Sequence, residues 1–231
     1  MRLYLIRHAD PDYENNTITQ YGHLEAAALA KRLSRENITH IHCSSMQRAI
    51  DTMQYTAEAL KLDYEIHDWM REVEWEDTIE AYHNPWDLPG EFLIGEEALP
   101  DMVSWKSNPN FDGEKLAKDY EDRAARFDSF LLEYGYQRKG NRYIELRENH
   151  ENIAMFCHAG FANAMFSHLL NIPLTTVWAD FWMAPSSVTI ILFSKRDSLV
   201  TVPRCIAYGD TSHLFSEGLS VRPRGLKGSF Y

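Results

Sequence analysis

Cysteine is scarce in this chain: Cys43, Cys157 and Cys205 are the only three, and no two have C-x-x-C spacing. That argues against a disulfide framework and points to reduced thiols in a cytoplasmic protein. Basic residues are also in deficit. Lys and Arg total 23 against 34 Asp and Glu, a formal net charge of -11. The broad basic face that nucleic acid or an anionic membrane requires is therefore not expected. A local cationic pocket for an anionic substrate remains compatible with this balance. No apolar run approaches the length of a membrane span. No signal-peptide core fits ahead of the first strand-like segment, which already carries the charged Arg7-His8. Internal repeats and low-complexity tracts are absent. What remains is ordinary for a soluble globular protein, 45% hydrophobic and 25% charged over 231 residues, enough for one substantial core. The chain reads as a single domain over 1–231, and no feature specifies an oligomeric state.

Two apolar runs end in histidine. Arg2-Leu-Tyr-Leu-Ile-Arg7 leads into His8, and Ile153-Ala-Met-Phe-Cys157 leads into His158-Ala-Gly160. Each has the length of a short buried strand and is followed by helix-like sequence. A third run, Ile38 to Cys43, ends in Ser44-Ser45 and leads to Arg48 at the start of another helix. In an α/β sheet the carboxyl ends of neighbouring strands line one crevice, where ligands bind. Two imidazoles and nearby guanidinium groups delivered there would suit a phosphoryl group.

The first half alternates strand and helix. Thr19 reads as an N-cap, with Leu24, Ala28 and Leu33 on one face of the helix it starts. The next helix carries Ala49, Met53, Ala57 and Leu60, and Tyr64 to His67 is a short strand. This βαβαβ order predicts an α/β three-layer sandwich, a mostly parallel central sheet with helices on both faces. From 70 to 112 the pattern breaks, with Trp75, Trp86 and Trp105 among many acids and four prolines. We expect an irregular insertion over the sheet's carboxyl edge, either a lid or specificity wall or an aromatic mini-core bracing the domain. A long helix is predicted from Gly113, striped by Leu116, Tyr120, Phe127, Leu131 and Tyr134. The stretch 135–152 is a polar connection or hairpin, and an apolar helix runs from His158 through Leu170. Residues 187–193 and 199–208 are predicted to form an antiparallel hairpin. The basic end, Arg222 to Lys227, is expected to be a mobile tail.

Several of these segments carry a resemblance. Leu5-Ile6-Arg7-His8 resembles the opening Arg-His-Gly signature of the histidine phosphatase superfamily, which includes the cofactor-dependent phosphoglycerate mutases. Thr19 to Ala26, Cys43 to Thr52, Met70-Arg71-Glu72 and Phe156 to Gly160 resemble its later motifs, in the family's order. Gly209 to Leu214 is similar to an ending found in some members. The resemblance implies a metal-independent phosphomonoester hydrolase acting on a small phosphorylated metabolite, with no cofactor. It implies that His8 attacks phosphorus to give a phosphohistidine and that Arg7 and Arg48 clamp the phosphate oxygens. His158 would donate to an equatorial oxygen, and Glu72 would serve as general acid and then base. Asn15 is the candidate for an asparagine that contacts the phosphate.

The chain departs from the family pattern in places. Ala9 replaces the glycine after the nucleophile. Glu25 stands where glutamine is usual, and we expect it on a helix surface. The stretch after Glu72 lacks the usual glycine, which makes Glu74 the fallback acid. Two other readings compete: a phosphoglycerate mutase-type isomerase, and a non-catalytic module that binds a phosphorylated ligand. His40 and His42 share a strand face beside Cys43, but with no further ligand at supporting spacing they read as strand residues with satisfied polar tips. Arg71 reads as solvated or ion-paired. His213 reads equally as a site contact or as a structural residue.

Overall fold

Strand β1 (Arg2–Arg7) is buried from its second residue onward, as a central strand covered on both faces must be. In the computed structural model, which describes residues 1–74, 84–96, 98–194 and 199–226, it is followed by a short ribbon of β2 (Pro11–Asp12) and β3 (Thr17–Ile18). Then come α1 (Gln20–Leu33), β4 (His40–Ser44), α2 (Gln47–Leu60) and β5 (Tyr64–His67). A one-turn helix α3 (Gly90–Leu93) precedes the long α4 (Gly113–Glu133). A hairpin of β6 (Tyr136–Lys139) and β7 (Arg142–Glu145) leads to β8 (Asn152–Cys157), α5 (Ala159–Leu170) and α6 (Leu174–Asp180). The chain continues through β9 (Val188–Leu192), β10 (Val200–Thr201), β11 (Arg204–Asp210) and α7 (Ser212–Ser216).

The six-stranded sheet has the order β11-β9-β1-β8-β4-β5. Strands β1, β8, β4 and β5 run parallel, while β9 and β11 are antiparallel at one edge. Alternate residues of β1 feed two cores. Leu3 and Leu5 pack with Phe127, Leu131, Phe161 and Leu169 from α4 and α5. Tyr4 and Ile6 pack with Leu29, Leu33, Met53 and Ala57 from α1 and α2. These are the three layers expected of a period-2 strand buried on both sides. Register aligns Arg7 with Cys157 and Cys43 with Phe156. His8, His158 and Ser44 therefore leave the sheet at neighbouring carboxyl ends.

Local signals act as expected at the element ends. The Thr19 hydroxyl accepts from the Gly22 backbone N–H at 3.0 Å and starts α1. Asp112 does the same for Lys115 at the head of α4. Three expectations are corrected. Leu24 is 54% exposed, because α1 turns Gly22, Ala26, Leu29 and Leu33 inward instead. A Cβ on Gly22 would lie 2.6 Å from the Asp10 carbonyl, so this close approach sets the helix face. Residues 199–208 are not one strand. Pro203 has no N–H to donate, and the chain splits there: β11 pairs with β9, while β10 joins β7 and β6 in a separate sheet. The insertion is not uniform. Trp105 is 1% exposed and packs in the larger core with Leu93 and Phe111, whereas Trp86 sits at the cleft. Trp75 lies outside the described residues. No helix among the described residues is long and apolar enough to cross a membrane.

Candidate active site

The backbone holds His8 on both sides. Its N–H donates to the Cys157 carbonyl at 2.9 Å, and its own carbonyl accepts from Ser186 N–H at 3.0 Å. The imidazole is 1% exposed. Its Nδ1 lies 2.8 Å from the Ala9 carbonyl. A carbonyl can only accept, so Nδ1 carries the proton and Nε2 keeps its lone pair. Burial, reinforced by the charges of Arg7 and Arg48, holds His8 well below the ordinary imidazole range. The ring is neutral near pH 7.

His158 faces it, with ring centroids 5.2 Å apart. Its Nε2 is 2.8 Å from the Ser44 hydroxyl, while the buried Nδ1 has no partner among the described residues. Burial first, then His8, Arg48 and Arg7, depress its pKa well below the usual value. It too is neutral near pH 7.

Two guanidinium groups complete the cationic half. Arg7 is buried at the end of β1, where Nη1 donates to the Met183 carbonyl at 2.5 Å and to the Arg224 carbonyl at 3.2 Å. Arg48 is buried at the second position of α2, with its guanidinium carbon 5.5 Å from the centre of the Tyr13 ring. A cation there opposes the helix dipole. The Nε of each arginine has no partner among the described residues.

Glu72 approaches from the segment after β5 and meets the N-terminus of α5. Its Oε1 accepts from Phe161 N–H at 2.9 Å and Val73 N–H at 3.0 Å, and its Oε2 from Gly160 N–H at 3.2 Å. The orphan donors of a helix start suit a carboxylate. This carboxylate lines the same cleft as Arg7 and Arg48, a cavity of about 560 Å³. Glu74, the fallback acid, is exposed and does not line it.

Around this centre runs a supporting layer. The Ala9 N–H donates to Thr52 Oγ1 at 2.9 Å, and that hydroxyl donates onward to the Arg48 carbonyl at 2.8 Å. Ala9 replaces a glycine without strain, since its φ is not in the left-handed region. His213 Nε2 is 3.0 Å from Ser186 Oγ, and Ser186 N–H holds the His8 carbonyl, so His213 braces the His8 backbone through Ser186.

Five of the six site residues expected from sequence therefore converge: His8, His158, Arg7, Arg48 and Glu72. Asn15 does not. It is exposed on the β2–β3 turn, and its amide donates to Asp12 at 2.8 Å, within its own loop. Glu25 is also corrected. It is fully buried, and its Oε2 accepts from Asp10 N–H at 2.7 Å, beneath the loop that follows His8. The basic tail is not free over its described part. Arg224 pairs with Asp10 at 2.6 Å, its carbonyl accepts from Arg7 and from Trp182 Nε1, and Gly225 and Leu226 line the cleft. Sequence reasoning also missed the far wall, where Asn84, Asp87, Asn163, Trp178 and Asp180 line the cavity. Asn163 was the most accessible of these to a reader, lying in the helix that His158 begins.

A mostly parallel α/β sheet with two histidines and two arginines at its carboxyl edge defines a phosphoryl-handling class of protein. The sequence profile described as Histidine phosphatase superfamily (branch 1) matches residues 3–203. The chain belongs to the histidine phosphatase superfamily. It is 24% identical over 213 residues to phosphoserine phosphatase 1 of Hydrogenobacter thermophilus, covering 87% of this chain and 90% of that protein. A crystal structure of a phosphoserine phosphatase mutant from Entamoeba histolytica in complex with phosphoserine superposes with a TM-score of 0.62 at 18% identity. That match covers 92% of this chain and 98% of the other. A mycobacterial glucosyl-3-phosphoglycerate phosphatase gives a TM-score of 0.57 at 19% identity, covering 90% and 98%. At these identities the two structures establish the shared fold.

Proposed function

We propose that this protein is a phosphomonoesterase that works through a phosphohistidine on His8. The observation that carries the reading is the Ala9 carbonyl on His8 Nδ1. It leaves Nε2 as a bare nucleophile beside two buried guanidinium groups. Arg7 and Arg48 hold the equatorial oxygens of the phosphoryl group, where charge-assisted bonds are strongest. The incoming dianion outweighs the charges that depress His158, so that ring takes up a proton and donates to a phosphoryl oxygen. In the first step the Nε2–phosphorus bond forms, the ester phosphorus–oxygen bond breaks, and Glu72 gives its proton to the departing alkoxide. In the second step water attacks phosphorus and passes a proton to Glu72. The nitrogen–phosphorus bond then breaks and returns the pair to Nε2.

The substrate we infer is a small alcohol phosphate whose leaving group carries an ammonium. Phosphoserine comes first because the curated relative is a phosphoserine phosphatase. The lining of the cleft supports it: Asp87 and Asp180 add negative charge to the cavity that Arg7 and Arg48 line, and Trp86 and Trp178 add aromatic rings of a kind that attracts cations. On this reading the described part of 70–112 contributes a specificity wall through Trp86 and Asp87. Free cysteines at all three positions support a reducing, cytoplasmic setting.

The test is phosphate release from phosphoserine and p-nitrophenyl phosphate in EDTA, comparing wild type with His8→Ala. Release by wild type alone, with label from the substrate trapped on wild type but not on the variant, is the expected result. Appreciable turnover by His8→Ala would remove His8 as nucleophile. Trapping without turnover would favour a mutase that retains its phosphohistidine.

A further inference from the structure

The edge of the parallel sheet carries a second cluster of chemistry, unrelated to the phosphate cleft. Strands β4 and β5 pair so that His42 lies opposite Glu65 and Ser44 opposite His67. His42 Nδ1 is 2.9 Å from His67 Nε2, and that same Nε2 is 3.9 Å from Glu65 Oε2. One donor atom from each of the three lies within 4.8 Å of the others. Read along the sequence, His42 lacked partners at ligand spacing. The register of two parallel strands supplies them.

We propose that His42, Glu65 and His67 form a structural zinc site that fastens edge strand β5 to the sheet. Histidine nitrogens and carboxylate oxygens hold tetrahedral zinc at about 2.0–2.2 Å, which sets neighbouring ligand atoms about 3.4 Å apart. The His42–His67 and His67–Glu65 separations, 2.9 and 3.9 Å, fall on either side of that value. The third pair, His42 and Glu65, lies within 4.8 Å, so the exposed Glu65 carboxylate has to swing inward to close the set. The other ring nitrogen of His42 is already oriented. Nε2 lies 2.7 Å from the Tyr134 hydroxyl, an outer partner of the kind that fixes a ligand's tautomer. With Nε2–H donating to that oxygen, Nδ1 presents its lone pair to the cluster.

Burial grades from fixed to accessible. His42 is buried, the His67 side chain is 21% exposed and that of Glu65 is 69% exposed. The ion has one rigid ligand, an open approach, and room for water as its fourth ligand. A cleft of about 280 Å³ reaches His42 and Glu65 from solvent. One carboxylate and two neutral imidazoles also suit zinc better than magnesium or calcium, which prefer oxygen alone. The ion touches no reacting group. It would steady the strand that leads, through Asp68 to Met70, toward Glu72.

The decisive experiment is titration of the untagged, EDTA-stripped full chain with zinc chloride against a chromophoric chelator, with thermal melting in parallel. The expected result is one equivalent bound at micromolar affinity or tighter, with a raised Tm. His67→Ala and Glu65→Gln should each weaken binding at least tenfold and lose the Tm response, and Tyr134→Phe should weaken it less. A wild type without stoichiometric binding would leave a plain His42–His67 hydrogen bond in place of the site. Unchanged affinity in His67→Ala would move the zinc elsewhere, His8 and His158 included, and would overturn the proposal equally. Because His8, Arg7, Arg48 and Glu72 are intact in these variants, the result stands apart from the outcome of the phosphatase assay.

Discussion

Gly160 stands at the first turn of α5, where an added Cβ would lie 2.7 Å from Glu72 Oε1, 2.6 Å from Val73 Cγ2 and 2.9 Å from Trp86 Cη2. Two of these neighbours line the cleft, and one is the carboxylate assigned to proton transfer. Alanine is a better helix former than glycine, so Gly160→Ala should leave α5 intact while displacing the acid. The kinetic signature follows from leaving-group chemistry. A serine alkoxide needs a proton as it departs, whereas p-nitrophenolate hardly does. Glu72→Gln should therefore slow phosphoserine about 10²–10⁴-fold, the usual range for general acid catalysis, with a much smaller loss on p-nitrophenyl phosphate. Gly160→Ala should show the same asymmetry in weaker form. Steady-state kinetics on both substrates check this, and equal losses on the two would place the acid elsewhere.

At the scale of elements, the join between α1 and the loop after β1 holds a charge in an awkward place. Burial raises the Glu25 carboxyl from an ordinary 4.5 to about 7, despite the Asp10 N–H bonded to it. In the window from about pH 4.5 to 7 the folded protein holds a proton that the unfolded chain has released, so stability falls as pH rises through it. The shift corresponds to a loss on the order of 3 kcal/mol by pH 8. Glu25→Gln keeps an acceptor for Asp10 N–H and removes the titration. Its Tm should vary less between pH 5 and pH 8 than that of wild type, with the gain concentrated at the upper end. A variant that keeps the wild-type slope would assign it to another group. Glu25 also marks where sequence reading stops. Thr19 and Asp112 could be read as caps because their partners lie three residues away, and the strands could be read because burial on both faces leaves an apolar run. Glu25 follows the polar face of a helix by pattern, yet Gly22 lets that face approach the Asp10 backbone. Asn15 lies apart from the other five for a related reason: its Asx contact to Asp12 holds it within its own loop. His8, His158, Arg7, Arg48 and Glu72 were legible because strand ends and a family motif place them. The far wall was not, since it assembles from the insertion, α5 and α6.

Over the whole molecule, the end of the first strand and the last described segment meet at the cleft, through Arg7 and Arg224. Arg224 and Asp10 are 214 positions apart, and their ion pair ties the last described segment to the loop after His8. Asp10 has no other described cation. Its carboxylate is 4% exposed and, among the described residues, otherwise accepts only from the Thr19 hydroxyl, while its N–H and carbonyl are bound to Glu25 and Thr19. Removing Arg224 leaves that carboxylate buried without a counter-charge, which costs more than the pair itself contributes. The same residue's carbonyl takes one of the Arg7 donors, so the segment also sets how Arg7 is aimed. Arg224→Ala should lower Tm by a few degrees and cut kcat/KM about tenfold, chiefly through KM, with the fold retained by circular dichroism. A double-mutant cycle with Asp10→Asn should show a coupling of about 0.5–3 kcal/mol, as for residues in one network. Additive losses would make the loop and the C-terminal segment independent. Coupled losses would mean that Arg224 and Asp10 act as one unit that positions the loop after His8, a task the local sequence around His8 does not perform alone.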